Sequence, residues 1–374
     1  MTGVLVLNVG SSSVKYQLFD MPTETVIAQG HKDRIGIVGG DYPSHDEALA
    51  QMVSELPDTV TIDIVGHRVV HGGGLFTEPT VVTDDVIQTL EDVSSLAPLH
   101  NPPNIAGIRA AQHALPNATQ VAVFDTAFFR DLPAEAFTYA LPKDLRERFG
   151  IRKYGFHGTS HQYVNQTLQA VSDPPPHKVI TCHLGNGSSM AAIVDGVALD
   201  TTLGFTPLPG LVMGTRSGDI DPAVVTHLLR EGMSVDDVDT ALGQEGGLVG
   251  LTGSSDMRDI IARAEAGDDD CELALRIWAG RIRHYVGAYW ALMGGLDALV
   301  FTGGIGENSA VLRKQVLELL APLGVVVDVS ANDTADGEAE KISSQASEVA
   351  VWVIATNEEL QIARHSHLLA GGGR

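Results

Sequence analysis

The residues with the most chemistry per position lie in three glycine-rich turns. Asn8-Val-Gly10-Ser11-Ser12-Ser13-Val-Lys15 gathers a glycine, three hydroxyls and an ammonium. Such a turn offers backbone N–H groups, O–H donors and a point charge to a phosphate. His183-Leu184-Gly185-Asn186-Gly187-Ser188-Ser189 can do the same. Taken singly, each is a hairpin turn; at equivalent places in a repeated chain, the two read as a pair of phosphate grips. Thr302-Gly303-Gly304-Ile305-Gly306-Glu307-Asn308 lies between an apolar strand and a helix, a setting in which a nucleotide can approach the backbone. Gly304-x-Gly306-x-x-Ser309, followed by Val325 to Asp328, nearly matches a dinucleotide fingerprint, but the third Gly is missing. The turn is assigned to a nucleotide without choosing nicotinamide, and the lysine-bearing Walker sequence is absent.

Arg68 and Arg216 both sit in turn-forming sequence in a chain poor in Arg. Alone, either reads as a surface salt bridge; beside two phosphate-type turns, bidentate anion clamps become the better hypothesis. His157-Gly-Thr-Ser-His161 has the spacing of a zinc pair, but Gly158 and a capping Ser160 interrupt the helix, and no Glu follows the first His. Zinc is therefore disfavoured. Asn357-Glu358-Glu359 opens the last helix, where acidic residues are ordinary dipole partners. The sequence by itself gives them no metal role.

Elements must hold these groups, and the chain repeats itself in supplying them. Val4 to Asp20 and Val179 to Asp195 each read as an apolar run, a Gly/Ser turn and a second apolar run ending in Asp, at an offset of 175 positions. Val121 to Thr126 and Leu299 to Gly304 are further buried strands with polar tips, and Phe124 and Phe301 lie 177 positions apart. The two offsets predict a duplicated domain with these strands equivalent. Helical patterns lie between: Ile105 to Leu115, a segment to Val171 capped by Ser160, a helix opened by Asp221-Pro222, Ser309 to Leu320, and Arg276 to Met293. The last is apolar on several sides, with Trp278, Tyr285, Tyr289 and Trp290, and suits an interface or a core. Strands alternating with helices give the α/β class.

At 374 residues the chain exceeds the size of a single core, so two domains are expected. A net charge of −23 without a run of Lys or Arg excludes nucleic acid and an anionic membrane as partners. The longest apolar run, Val286 to Leu296, is too short to span a bilayer. Two cysteines, Cys182 and Cys271, read as buried thiols, and the cytosol is the expected compartment.

Taken together, the motifs resemble those of the acetate kinase family, within the acetate and sugar kinase, Hsp70 and actin superfamily. The match runs nearly end to end: Asn8 to Lys15, Gly66 to Gly74, Leu96 to Pro103, Val123 to Ala127, Tyr154 to His161, His183 to Gly187, Gly204 to Pro222, Ser254 to Arg258, Phe301 to Asn308 and Thr356 to Glu359. The resemblance implies two copies of a ribonuclease H-like (actin/Hsp70-type) βββαβαβα domain with an active-site cleft between them. One copy would span 1–127 plus 360–374, with the acetate side and the first phosphate loop. The other, 128–359, would bind the nucleotide.

The implied reaction is reversible transfer of the ATP γ-phosphoryl to acetate, giving acetyl phosphate and ADP, with Mg²⁺, or Mn²⁺ in its place. The resemblance puts Asn8 and Glu358 at the metal, and Lys15, Ser11 and Ser13 at the phosphates. It lines the ATP site with His183, Leu184, Gly185, Asn186, Gly187, Asp256, Met257, Arg258, Gly303, Gly304, Ile305, Gly306 and Glu307. Arg68, His157 and Arg216 would surround the phosphoryl in flight with His100 close by, and Asp125 is the family's acid/base residue. Acetate is already ionised at pH 7, so an orienting role suits Asp125 better than a base. Val70, Leu99, Phe156 and Pro207 would enclose the acetate methyl.

A propionate or butyrate kinase of the same fold is the alternative. An Hsp70-like nucleotide module would keep the phosphate turns but has no need of Arg68, His100 and His157. A homodimer and domain closure over the γ-phosphoryl are also implied. Two departures from the family stand out: Phe129 where His is usual, and a short stretch from Asp20 to Gly66.

Overall fold

A computed structural model describes residues 2–57, 59–98 and 100–371. The chain forms two compact units. The first takes the residues up to 130, 158–160 and those from 357 onward; the second takes 131–157 and 161–356.

The first unit opens with the hairpin β1 (Thr2–Val9) and β2 (Val14–Asp20), continued antiparallel by β3 (Thr25–Lys32). Helix α1 (His45–Glu55) leads to β4 (Thr61–Val69), then β5 (Thr80–Val81), α2 (Asp84–Asp92), α3 (Asn101–Ala114) and β6 (Thr119–Phe124). The sheet order is β3-β2-β1-β4-β6-β5, with β1, β4 and β6 parallel. Leu5, Leu7 and Val65 face one way and pack with Ala48, Leu49 and Met52 of α1 and Ala110 and Ala111 of α3.

The second unit carries the short helices α4 (Ala134–Phe137) and α5 (Lys143–Phe149), and all but the first turn of α6 (Gly158–Val171). Strands β7 (Lys178–Leu184), β8 (Ser188–Val194) and β9 (Val197–Thr201) form a meander. Five helices follow: α7 (Pro222–Arg230), α8 (Val235–Gly243), α9 (Gly247–Thr252), α10 (Met257–Glu265) and α11 (Asp269–Met293). Then come β10 (Ala298–Thr302), α12 (Gly303–Asn308), α13 (Ala310–Leu319), α14 (Val329–Thr334), β11 (Glu340–Lys341) and β12 (Ala350–Val353). The order is β11-β12-β10-β7-β8-β9, and Ile180, Cys182, Met190 and Phe301 pack on Trp278, Ile282 and Val286 of α11. The chain ends on α15 (Glu358–Gly371), which returns to the first unit and lies against β1, β4 and β6.

Read from β9 and β3 respectively, the two sheets have one topology, and the duplicated α/β architecture stands. The strand equivalence drawn from the second offset does not. Beside the first strand of each hairpin lies β4 in one unit and β10 in the other, so Leu299 to Thr302 corresponds to β4, while β6 corresponds to β12. Apolar strands look alike in sequence, and the five helices between β9 and β10 displaced the register of the comparison. Three smaller expectations also change. Ser160 does not cap α6, which begins at Gly158 with His157 as its N-cap residue. Arg68 lies in β4 rather than a turn. Val325 to Asp328 is not the strand after a nucleotide turn, because the next parallel strand beside β10 is β12.

His67, on the inner part of β4, is 2% exposed, and its Nε2 lies 2.8 Å from Gln120 Oε1. Burial, only partly offset by that hydrogen bond, pushes the imidazole down to about 4 from 6.5. The folded chain holds it neutral, so its stabilisation is complete above pH 6.5 and is lost as pH falls toward 4, an effect of about 3 kcal/mol. Urea unfolding at pH 7.5 and pH 4.5 tests this: the wild type should lose more stability between the two than His67→Gln, and equal losses would refute it.

Candidate functional site

Strand register gathers the first set of site residues. Paired residues of neighbouring strands point to the same face of a sheet, and the direction alternates along each strand. Asn8 pairs with Lys15, Val6 with Gly66, and Arg68 with Val123. Alternation then sets Asn8, Lys15, Arg68 and Asp125 on one face, at the carboxyl ends of the parallel strands, where open α/β sheets bind ligands. That face is the one covered by α15, whose first residues are Glu358 and Glu359.

The ion pairs follow from this placement. Arg68 Nη2 donates to Asp125 Oδ2 at 2.6 Å, and its Nε lies 3.1 and 3.2 Å from the two carboxylate oxygens. Asp125 is 1% exposed. Burial alone would disfavour the Arg68 cation, but the Asp125, Glu358 and Glu359 carboxylates outweigh it and raise its affinity for the proton. Glu358 Oε2 lies 3.8 Å from Arg68 Nη2 and accepts from Thr159 Oγ1 at 3.0 Å. Lys15 Nζ lies 2.6 Å from Glu359 Oε1. Arg68 is therefore neither a surface bridge nor yet an anion clamp: one edge of its guanidinium is engaged by Asp125.

Ser11 and Ser13 sit in the turn between β1 and β2, which Gly10 closes by donating to Ser13 O at 2.8 Å. His100 precedes α3, and Val70 follows β4, its N–H donating to Asn104 Oδ1 at 3.1 Å. Leu99 lies outside the described residues. Two amides that sequence reasoning missed staple these strand ends to α3. Asn104 Nδ2 donates to Val9 O, and Asn101 both accepts from and donates to the backbone of His71. Their signal was a pair of asparagines flanking Pro102-Pro103. Thr159 was missed because its partner is 199 positions away.

In the second unit, His183 pairs with Ser189 across the β7–β8 hairpin, and the rings of His157 and His183 stand 4.5 Å apart. Ser189 Oγ lies 2.9 Å from His157 Nδ1 and 2.8 Å from His161 Nε2, while His161 Nδ1 meets Thr181 Oγ1 at 2.7 Å. Burial, reinforced by His183, pushes His161 far below its usual range, so it is a neutral support for this face. His157 takes φ +57°, a left-handed conformation uncommon outside Gly and expected where a site fixes a side chain.

A cavity of about 550 Å³ opens beside this hairpin, a size suited to a nucleotide. Gly185, Asn186, Asp256, Met257, Arg258, Gly304 and Ile305 line it, as do Leu248 and Ile261. The strand-to-helix turn at its edge needs Gly303, whose φ is +77° and whose Cβ would lie 2.8 Å from Leu184 O. The Glu307 carboxylate turns inward, accepting from Thr302 Oγ1, Gly303 N and Thr356 N at 3.1, 2.7 and 3.0 Å, so it braces the turn. Arg313, buried and unforeseen, braces the other end of α12 by donating to Gly306 O and Glu307 O at 3.0 and 2.7 Å. His183, Leu184, Gly187 and Gly306 frame the same two turns.

Arg216 lies on the long loop between β9 and α7, with Nη1 3.3 Å from Pro207 O. Burial lowers its proton affinity, and among the described residues no carboxylate lies within 4.0 Å of it. A partly buried guanidinium without a carboxylate partner is able to receive an anion. Phe156 is fully buried in the same unit.

Duplicated sheets with glycine-rich hairpin turns, a nucleotide-sized cavity and cations at the strand ends are features that a phosphotransferase of the actin-like class needs. The acetokinase family model matches residues 3–364. The chain is 48% identical to the acetate kinase of Halothermothrix orenii, over 96% of this chain and 98% of that one, and 49% identical to that of Clavibacter sepedonicus, over 98% and 99%. Among solved structures it is similar to Porphyromonas gingivalis acetate kinase (42% identity, TM-score 0.90, 99% and 100% covered) and to a propionate kinase from Francisella tularensis (39%, 0.92, 98% and 100%). The chain belongs to the acetokinase family, whose substrates include ATP and ADP.

The geometry of Asp125 has a direct consequence for stability. Arg68→Met strands a buried carboxylate and should cost about 3–5 kcal/mol, whereas Arg68→Met with Asp125→Leu should recover most of it. Urea midpoints of the three proteins decide the matter: a cost below about 1 kcal/mol for the single variant would show the pair is not compensating burial.

Proposed function

We propose that this enzyme catalyses reversible transfer of the ATP γ-phosphoryl to acetate, giving acetyl phosphate and ADP, by direct in-line displacement. The observation that carries the reading is the set of cations at the two sheets' carboxyl ends, with Arg216 lacking a carboxylate partner among the described residues. A carboxylate oxygen of acetate attacks the γ-phosphorus as the bond to the β,γ-bridging oxygen breaks and ADP leaves. No proton need move, since acetate enters ionised. Charge spreads over three equatorial oxygens in the transition state, and positioned cations are the main source of rate.

Arg216, His157 and Lys15 are assigned to those oxygens, with Arg68 and His100 at the acetate side. Ser11 and Ser13 assist at the phosphates, and the apolar wall of Leu248, Met257, Ile261 and Ile305 is assigned to the base. Asp125, already committed to Arg68 through both of its oxygens, acts as an orienter. Mg²⁺, for which Mn²⁺ can substitute, would be held by Asn8 and Glu358, with phosphate and water completing its shell. One carboxylate and one amide suit an ion that keeps most of its sites for phosphate and water. When bound, it neutralises phosphate charge.

Acetate is assigned as the preferred acid, with its methyl against Val70, Phe156 and Pro207. A propionate kinase among the structural relatives keeps that acid as the alternative. Helix α7 has no buried residue and exposes Val224 and Leu229, which supports a homodimer. Among the described residues no helix is long and apolar enough to cross a membrane, and with two buried thiols this supports a cytoplasmic enzyme.

A hydroxamate assay with ATP and acetate should yield acyl phosphate, and no product with any short carboxylate would end the kinase reading. Inversion at a chirally labelled γ-phosphorus is expected, and retention would point to a phosphoenzyme. One added methylene is worth about 1–3 kcal/mol in an apolar pocket, so kcat/KM for propionate should fall roughly 10- to 200-fold below that for acetate. Equal values for acetate and butyrate would refute a methyl-sized pocket.

A further inference from the structure

The loop that carries Arg216 runs from the end of β9 at Thr201 to the start of α7 at Pro222 without helix or strand. A segment this long and irregular has no ladder to fix it; Leu248 N, Val249 N and Ser217 N make backbone bonds to Met213 O, Gly214 O and Leu242 O on one side of it, and a few side chains hold the rest. One of these is Asp219. Its backbone N–H donates to Gly210 O at 3.1 Å, and its Oδ1 accepts from Gly210 N at 2.8 Å, closing residues 210–219 into a ring. Within the ring Met213 N donates to Arg216 O. The ring abuts the phosphate turn: Gly214 N donates to Asn186 O at 3.0 Å, and a Cβ on Gly214 would sit 1.8 Å from Asn186 Oδ1.

The second carboxylate oxygen of Asp219 faces the long helix. Tyr285 OH, two-thirds along α11, donates to Oδ2 at 2.6 Å, and Arg281 Nη1, one turn earlier, lies 3.6 Å from the same oxygen. Burial first, and then the Asp219 carboxylate, hold the Tyr285 phenol protonated far above its usual range, so the donor is always present. Tyr285 lies against the unit's core cluster, on a helix whose neighbours Ile282 and Val286 are fully buried. The loop is thus pinned to the long core helix of the second unit. Neither residue reaches the nucleotide cavity.

We infer that Asp219 and Tyr285 are positioning residues, which clamp the 210–219 ring to α11 and thereby fix the Arg216 guanidinium for phosphoryl transfer. The inference rests on the role proposed above for Arg216. Tyr285→Phe removes a hydrogen bond to a charged acceptor and leaves the packing of the ring in place. Such a bond is worth enough to lower kcat about tenfold, while KM for ATP stays within about twofold.

The decisive measurement is the same substitution made in an Arg216→Ala background, where kcat should change by less than about twofold, because the group being positioned is gone. Equal losses in both backgrounds would overturn the clamp, and so would an unchanged kcat in the wild-type background. Amide exchange of residues 210–219 provides a readout independent of activity. It should accelerate in Tyr285→Phe, with exchange in β7 and β10 unchanged; an unaltered ring, or acceleration throughout the unit, would equally overturn it. A wild-type enzyme that makes no acyl phosphate defeats the proposed function alone, and the exchange experiment still decides the clamp.

Discussion

A carboxylate with almost no exposed surface has to be answered by a cation, and the Arg68–Asp125 pair meets that demand at the centre of the first unit. Both residues are delivered by parallel strands, so the pair holds only while β4 and β6 keep their register. A slip of one residue would turn Arg68 toward α1 and α3 and bury a lone guanidinium. The pair also ties down α15, through Glu358, and Thr159 supplies the hydroxyl that holds Glu358 in place. One electrostatic requirement thereby fixes strand register, the docking of the last helix and the aim of the group proposed to hold acetate.

The two units treat their cations in opposite ways. Arg68 is engaged on one edge, with its charge guaranteed by three nearby carboxylates. Arg216 is partly buried, with a carbonyl and a thioether for company. The first arrangement gives orientation at the cost of attraction; the second keeps attraction and needs a separate device for orientation. On the proposed reaction, an acceptor that must be aligned and a phosphoryl group that must be stabilised call for these two different solutions.

Local chemistry was legible in the sequence wherever it was local in space. The hairpin turns at Gly10 and Gly185, the Pro222 helix start and the opening of the last helix at Glu358 needed only neighbouring residues, and all lie where expected. The strand-to-helix turn at Gly303 was visible for the same reason. The match of β10 to β6 failed because an apolar strand carries no address; only its neighbours in the sheet tell which strand it is. Thr159, Arg313 and Asp219 were missed since each acts on a partner brought close by folding. Arg68 was read as a turn residue because its strand ends one position later and three glycines follow from Gly72.

Helix α6, which closes the first copy, goes to the second unit after its first turn, where His161 binds Thr181 and Ser189, while α15, which follows β12, goes to the first. Each copy of the duplicated chain thus lends its final helix to the other. Cut at the boundary between the copies, neither half could cover both faces of its own sheet, and each would present an apolar face to water.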